Sequence, residues 1–137
     1  MENNLEQDKE INSLDTIRVM VQEDNNRKEA LLKSRNIKVL SAYELDDIKK
    51  MSAVYKEAVE RNDLVIDFIM DVKNDMLKIR LAKDRLDKTT GVYTQQANQI
   101  DYYMKILVEI LGIMKEEQQK LDRVVRFYEK NYNTYSF

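Results

Sequence analysis

The segment IKKMSAVYKEAVERNDLVIDFIMDV, residues 48–72, carries mostly apolar side chains at alternating spacings of three and four residues. With Ile48 as heptad position a, the same series of a and d positions continues without a phase slip as far as Tyr128. Apolar residues every 3.5 positions keep one seam of a helix against a partner helix, which is coiled-coil packing. The pattern therefore predicts a coiled coil along most of the chain.

The composition points to the same fold class. The 137 residues include no proline and only two glycines, and 35% of them are charged. Turns and sheet edges depend on proline and glycine, so their scarcity argues against a β-rich or loop-rich fold. High charge beside a regular apolar seam is typical of long helices. We expect an all-α protein.

The stretch DKTTGVY, residues 87–93, is the one candidate interruption of the long seam. Its threonines and Gly91 lower helix propensity, glycine by about 1 kcal/mol relative to alanine. A hairpin loop has no reason to keep the heptad phase, so a continuous helix over about residues 41–131, on the order of 135 Å long, is favoured. A turn near Gly91 is the alternative. The prediction is a long antiparallel helical hairpin or coiled coil, with a shorter N-terminal helix folded back on one very long heptad-patterned helix.

The N-terminal part of the chain supplies the shorter helix. Residues 1–10 are polar and are expected to be a frayed end, which leaves residues 11–137 as a single helical coiled-coil domain. A bend or short loop is expected between residues 33 and 41. Ser41 and Glu44 have the spacing of a capping box, which marks a helix start.

No set of residues in the chain suggests catalysis. Histidine and cysteine are absent, which removes the commonest general base, the thiol nucleophile and the best transition-metal ligands. Glycines at positions 91 and 112 alone cannot build a phosphate-binding loop. We therefore expect a protein that is not an enzyme, with no metal and no cofactor.

Charge and hydropathy limit the partners. The 23 basic and 25 acidic residues are interleaved and the net charge is −2, so no nucleic-acid partner is expected. The apolar run over residues 102–114 is too short and too charged to span a bilayer, and the polar N-terminus does not resemble a secretory signal. We expect a cytoplasmic protein without membrane insertion, whose partners are protein helices, with a homo-oligomer as one possibility.

Two polar residues, Asn62 and Lys83, occupy a positions of the seam. Polar residues there can simply be tolerated, or they can fix the register and the number of partner helices at some cost in stability. The sequence favours neither interpretation.

The segment DYYMKILVEILGIM, residues 101–114, is apolar on nearly every side. One partner helix cannot cover so wide a surface. Either the segment is the centre of a three- or four-helix packing, or it is an exposed docking surface. Its seam residues are Met104, Leu107, Leu111 and Met114, and its apolar residues off the seam are Tyr103, Ile106, Val108, Ile110 and Ile113.

The C-terminal tail RFYEKNYNTYSF, residues 126–137, is rich in aromatic side chains. They can pack the last turns of the helix onto a neighbour, which is the slightly favoured interpretation, or they can contact a partner. The residues concerned are Phe127, Tyr128, Tyr132, Tyr135 and Phe137.

The segment RKEALLKSRNIKVLSAYELDDIKKMSAVYKEAVER, residues 27–61, resembles the FlgN family of bacterial flagellar export chaperones. In that family a first helix ends in a similar Lys-Glu-x-Leu-Leu segment, and a polar break and a long helix follow. The segment VYTQQANQIDYYMKILVEIL, residues 92–111, is also similar to the Gln/Asn-bearing long helix of the family. The matching residues are Lys28, Glu29, Leu31 and Leu32, then Ser34, Arg35 and Asn36 at the break, then Ile37, Leu40, Glu44 and Arg61.

The resemblance implies a chaperone that binds the C-terminal helices of hook-associated proteins and keeps them unassembled until secretion. Family members use an apolar C-terminal region for this grip, which in this chain corresponds to the 103–114 surface extended by Leu121, Val125 and Tyr128. The alternative hypothesis is a structural coiled-coil subunit of a permanent multi-protein assembly, in which residues 103–114 are ordinary core.

Overall fold

The protein was analysed as a computed structural model that describes residues 14–33 and 40–135, with side chains to residue 131. Every element in those ranges is a helix, which confirms the predicted all-α fold. The elements are α1 (Leu14–Lys33), α2 (Ala42–Leu45), α3 (Ile48–Asp84) and α4 (Tyr93–Tyr135). The frayed end expected over residues 1–10 lies outside the described residues, as does most of the expected bend between 33 and 41.

The capping box at Ser41 is confirmed, but it opens a single turn of helix. The Ser41 side chain accepts a hydrogen bond from the Glu44 backbone N–H at 3.4 Å, and Glu44 Oε2 accepts one from the Ser41 N–H at 2.9 Å. The long helix α3 has its own cap, because Asp47 Oδ1 accepts from the backbone N–H groups of Lys49 and Lys50 at 3.0 and 3.3 Å. Two successive caps therefore precede α3.

The single continuous helix predicted over about residues 41–131 is wrong, because α3 ends at Asp84 and α4 begins at Tyr93. Asp87 organises the turn: its Oδ1 accepts from the Thr89 N–H at 2.9 Å and from the Thr89 hydroxyl at 2.6 Å. Thr90 Oγ1 donates to the Asp87 carbonyl at 3.1 Å. Short polar side chains that bond nearby backbone offer the chain an alternative to helix, and here that alternative wins.

The heptad phase misled the prediction for a simple reason. A heptad has seven phases, so two separate helices share one phase by chance about one time in seven. Phase continuity across residues 87–93 was therefore weak support for an unbroken helix. The break leaves a helical hairpin, in which α3 and α4 pack along each other.

The d positions of the heptads form the interior of this hairpin. On α3 they are at most 1% exposed, and the d positions on α4 from Ile100 to Tyr128 are buried as well. Burying a valine, isoleucine, leucine or methionine side chain stabilises the fold by about 1.5–3 kcal/mol. The buried d residues are Met51, Ala58, Val65, Val72 and Ile79 on α3, and Ile100, Leu107, Met114, Leu121 and Tyr128 on α4.

Helix α1 lies on one side of the hairpin and packs mainly on α4 and less on α3. Its buried apolar residues Ile17, Met20, Val21 and Leu31 join the d positions of both long helices in one core cluster. A second, smaller cluster lies at the other end of the hairpin, where Leu40 takes the place of α1. The molecule therefore has a three-helix part and a two-helix part.

Candidate helix-docking surface

The apolar segment of α4 has three faces, because each residue of a helix is rotated by about 100° from the last. Leu107 and Met114 form the first face and are fully buried in the seam with α3. The second face carries Tyr103, Ile106 and Ile110, which belong to the same cluster as the buried residues of α1. Ile110 is 3% exposed. We call the side of the hairpin that α1 fills the covered groove.

The third face of α4 carries Met104, Val108 and Leu111. Met104 and Leu111 are partly buried against the core, but Val108 is 53% exposed. On α3 the nearby residue Met70 is 56% exposed. Neither side chain is covered by a described helix. Part of the apolar surface of this hairpin therefore stays exposed after α1 and α3 have packed on α4.

A groove lies between α3 and α4, where the α4 residues that line it directly follow the apolar segment. We call it the open groove, and its cavity volume is ≈ 320 Å³. Asp71 and Asp75, which reach α1, are on the other side of α3, so the open groove and the covered groove are on opposite sides of the hairpin. The open groove is lined by Ile66, Ile69, Met70 and Lys73 from α3, and by Lys115, Gln118 and Gln119 from α4.

The predicted extension of the binding surface along α4 lies in the interior. Leu121, Val125 and Tyr128 are all buried. The Tyr128 hydroxyl accepts a hydrogen bond from the backbone N–H of Leu40 at 3.1 Å, so this ring fixes the segment before α2. Phe127 packs edge-on against Tyr128 with ring centroids 5.3 Å apart. Tyr128 therefore has the packing role, whereas Phe127 is 41% exposed; the side chains of Tyr132, Tyr135 and Phe137 lie outside the described residues.

Of the twelve predicted partner-binding residues, six are buried within the chain: Leu107, Ile110, Met114, Leu121, Val125 and Tyr128. Tyr103, Met104, Ile106, Leu111 and Ile113 are half-buried, and Val108 is exposed. Sequence reasoning missed the partners of this face on α3, Ile66 and Met70, because neither is in the heptad seam. Only the antiparallel pairing of α3 with α4 brings them beside Lys115, Gln118 and Gln119, which follow the apolar segment. The partner-binding role of all twelve stays a prediction.

The two polar seam residues have different surroundings. Lys83 Nζ donates to Asp101 Oδ1 at 2.6 Å, which joins the end of α3 to the start of α4. This hydrogen bond raises the pKa of Lys83 above its ordinary value. The side-chain oxygen of Asn62 is buried and has no hydrogen-bond partner among the described residues. Leaving such a group unpaired costs about 1–3 kcal/mol. The register-setting role of both residues stays a prediction.

A charged cluster at the covered groove was not predicted from the sequence. Asp24 on α1 is completely buried and forms an ion pair with Arg27. Arg27 also approaches two carboxylates on α3, with its Nε 3.6 Å from Asp71 Oδ2 and its Nη1 3.7 Å from Asp75 Oδ2. The available signal was heptad spacing, since Asp24 lies seven residues after the buried Ile17 and seven before the buried Leu31.

Burial is the main reason that the pKa of Asp24 rises from 3.8 to about 8, and the neighbouring Asp75 carboxylate adds to it. Arg27 acts in the opposite direction and only partly offsets the rise. The second oxygen of Asp24, Oδ2, has no hydrogen-bond partner in the described part of the chain. A proton held there would let Asp24 donate to Asp75, which is how two neighbouring carboxyls avoid a buried like-charge pair.

The described helices hold no cluster of acidic side chains arranged for a metal ion. Within the same ranges no helix is long and apolar enough to cross a membrane. In comparisons with known proteins, no family model, no curated protein and no solved structure matches this chain.

Proposed function

We propose that the protein is a non-enzymatic binding protein that takes a helix of a partner protein into the open groove. The observation that carries this proposal is the apolar lining of that groove, where Ile66, Ile69 and the 56% exposed Met70 lie together between two neighbouring helices. Large apolar side chains that share an exposed surface between two helices are typical of interaction sites. In this proposal the protein binds its partner through complementary apolar surfaces and catalyses no reaction.

A helix is the partner that suits this surface best. The covered groove of the same hairpin is already filled by a helix, α1, whose apolar stripe packs on α3 and α4. A further helix in the open groove would lie on the opposite side of the hairpin and extend the bundle to four helices. Binding of an amphipathic helix in an apolar groove is a common mode of peptide recognition.

The resemblance of residues 27–61 and 92–111 to FlgN-family proteins suggests which helices these are. On that basis the proposed role is that of a flagellar export chaperone, which works in the cytoplasm and holds the C-terminal helices of hook-associated proteins before secretion. The open groove would then be the client site, and the remainder of the 103–114 segment would hold the bundle together beneath it.

The alternative is a structural coiled-coil subunit of a permanent multi-protein assembly. The burial of Leu107, Ile110 and Met114 within the chain favours it, because these side chains need no client to be covered. In that case the open groove would be filled permanently by another subunit. The two functions differ in whether the isolated protein is a stable monomer that accepts a helix reversibly.

The test is size exclusion with light scattering, on the protein alone and with C-terminal fragments of hook-associated proteins. We expect a monomer that forms a one-to-one complex, and we expect Ile66→Asp with Met70→Asp to abolish the complex while the chain stays helical by circular dichroism, because both side chains line the groove and are exposed. Val19→Asp is the matched control, because Val19 is an exposed apolar residue on α1, which lies at the other groove. A stable elongated oligomer that ignores the fragments would support the structural role instead.

A further inference from the structure

Two lysines, Lys73 on α3 and Lys115 on α4, line the open groove from opposite sides. Between them lie the apolar side chains Ile66, Ile69 and Met70. No ion pair joins either lysine to another described residue, whereas several other basic residues of the chain are paired. The groove therefore presents an apolar floor with one unpaired positive charge on each helix.

None of the residues that line the groove is acidic. The two residues that α4 contributes besides Lys115, Gln118 and Gln119, are neutral. The lining itself is therefore positive, although the whole chain carries a net charge of −2.

The covered groove shows how this hairpin matches the charge of a docked helix. There α3 presents Asp71 and Asp75, and the helix that fills the groove brings Arg27 within 3.6 Å and 3.7 Å of them. The docked helix thus combines an apolar stripe with a charge opposite to that on α3. The open groove is also lined by apolar side chains, but its charged residues are lysines where the covered groove has aspartates.

We infer that the open groove takes an amphipathic helix whose apolar stripe is flanked by aspartate or glutamate side chains, which pair with Lys73 and Lys115. This inference rests on the proposed function and adds the chemical class of the partner. Apolar contact with Ile66, Ile69 and Met70 supplies most of the affinity. The lysines decide which helices bind, because complementary charge at the edge of an interface favours the right partner and its approach more than it adds affinity.

The experiment uses two synthetic helical peptides of about three heptads with leucine at positions a and d. One peptide carries glutamate at its e and g positions and the other carries lysine there. Binding of each to the full chain is measured by fluorescence anisotropy. We expect the glutamate peptide to bind about fivefold or more tightly than the lysine peptide in low salt, since two exposed ion pairs have an effect of this order. The difference should shrink in about 1 M salt, where charges are screened within a few ångströms.

Charge reversal on the protein gives the decisive comparison. Lys73→Glu with Lys115→Glu should reverse the preference, so that the lysine peptide binds more tightly. Lys88→Glu with Lys105→Glu is the matched control: both lysines are exposed, neither lines the groove, and the change in net charge is identical. The control should keep the preference for the glutamate peptide.

Each other outcome overturns the inference in a distinguishable way. Equal binding of both peptides, unchanged by the reversal, would show a purely apolar groove and leave the proposed function intact. Binding of neither peptide would also reject this partner class, and the fragment assay described above then decides separately whether the groove binds helices. A dimer of the free protein that excludes both peptides would identify a second copy as the occupant.

Discussion

The covered groove and the open groove lie on opposite sides of the same helical hairpin and share its apolar construction. In the covered groove α1 buries Ile110 almost completely, whereas Val108, two residues earlier on the same helix and outside that groove, is half exposed. The sequence of α4 does not distinguish these two positions, since both are β-branched and lie off the heptad seam. A helix with apolar residues on several faces can therefore pack against several neighbouring helices. Its sequence does not say whether those neighbours belong to the same chain or to another molecule.

The two grooves also differ in charge. The covered groove contains a buried acid, Asp24, with Arg27 between the carboxylates of α3, while the open groove carries Lys73 and Lys115. Burial raises the pKa of Asp24 to about 8, so near neutral pH the covered groove holds this carboxyl mainly in its neutral form.

The largest predicted difference is in the free energy of unfolding, between truncation of Ile110 and truncation of Val108. Ile110→Ala removes a buried side chain between α4 and α1, and we expect a loss of about 2–4 kcal/mol in the free energy of unfolding. Val108→Ala at the open groove should change that free energy by less than about 0.5 kcal/mol. Urea unfolding followed by circular dichroism measures both. Similar losses for the two variants would mean that the open groove is also filled within the free protein.

A smaller, pH-dependent effect should come from Asp24→Asn. The folded protein holds a proton on Asp24 up to about pH 8, while the unfolded chain loses it near pH 4. The stabilisation from this group is therefore complete below about pH 4 and is lost as pH rises through 8. Asparagine keeps the shape of the neutral acid and cannot ionise. We expect the variant to match the original protein below about pH 4, to exceed it by about 1 kcal/mol at pH 5, and to exceed it further as the pH rises to 8.5.

The groups that act on Asp24 in this experiment are Arg27 on α1 and Asp75 on α3, and no charge on α4 contributes. Two other groups have pKa values that move away from the range of pH 5 to 8.5. Hydrogen bonds from Thr89 lower the pKa of Asp87, and the bond to Asp101 raises the pKa of Lys83. Asp67→Asn, at an exposed position of α3, is the control and should keep the original pH dependence. Stability of the original protein that stays constant or rises between pH 5 and 8.5 would contradict the assignment.

The smallest effect should come from Gly91→Ala in the turn between α3 and α4. Gly91 does not have a positive φ angle, and a Cβ at this position would meet nothing within 4 Å. Alanine therefore fits the turn and restricts the unfolded chain, which should stabilise the protein by about 0.4–1 kcal/mol. Thermal unfolding measures the gain, and peptide binding at the open groove should not change. A loss of stability would indicate that the turn needs the freedom of glycine.

The sequence determined the helical class, the seam and the start signals. The spacing of d positions such as Val72 and Leu107 identified residues that the structure buries, and the capping box at Ser41 was correct. These features are local or periodic, so they can be recognised without knowing the packing. The sequence left a turn near Gly91 as the alternative, because the preserved heptad phase favoured a continuous helix. Local hydrogen bonds from Asp87 decide the matter.

Only the tertiary structure decided which side of each helix has a neighbour. The turn at residues 85–92 folds α4 back along α3, which creates two grooves, and α1 fills one of them. This pairing buries Asp24, leaves Val108 exposed, and puts Lys73 across a groove from Lys115. The sequence could not give these results, because residues far apart along the chain meet only through packing. The periodic pattern specifies that a helix needs partners, and the three-dimensional arrangement specifies which surfaces receive them.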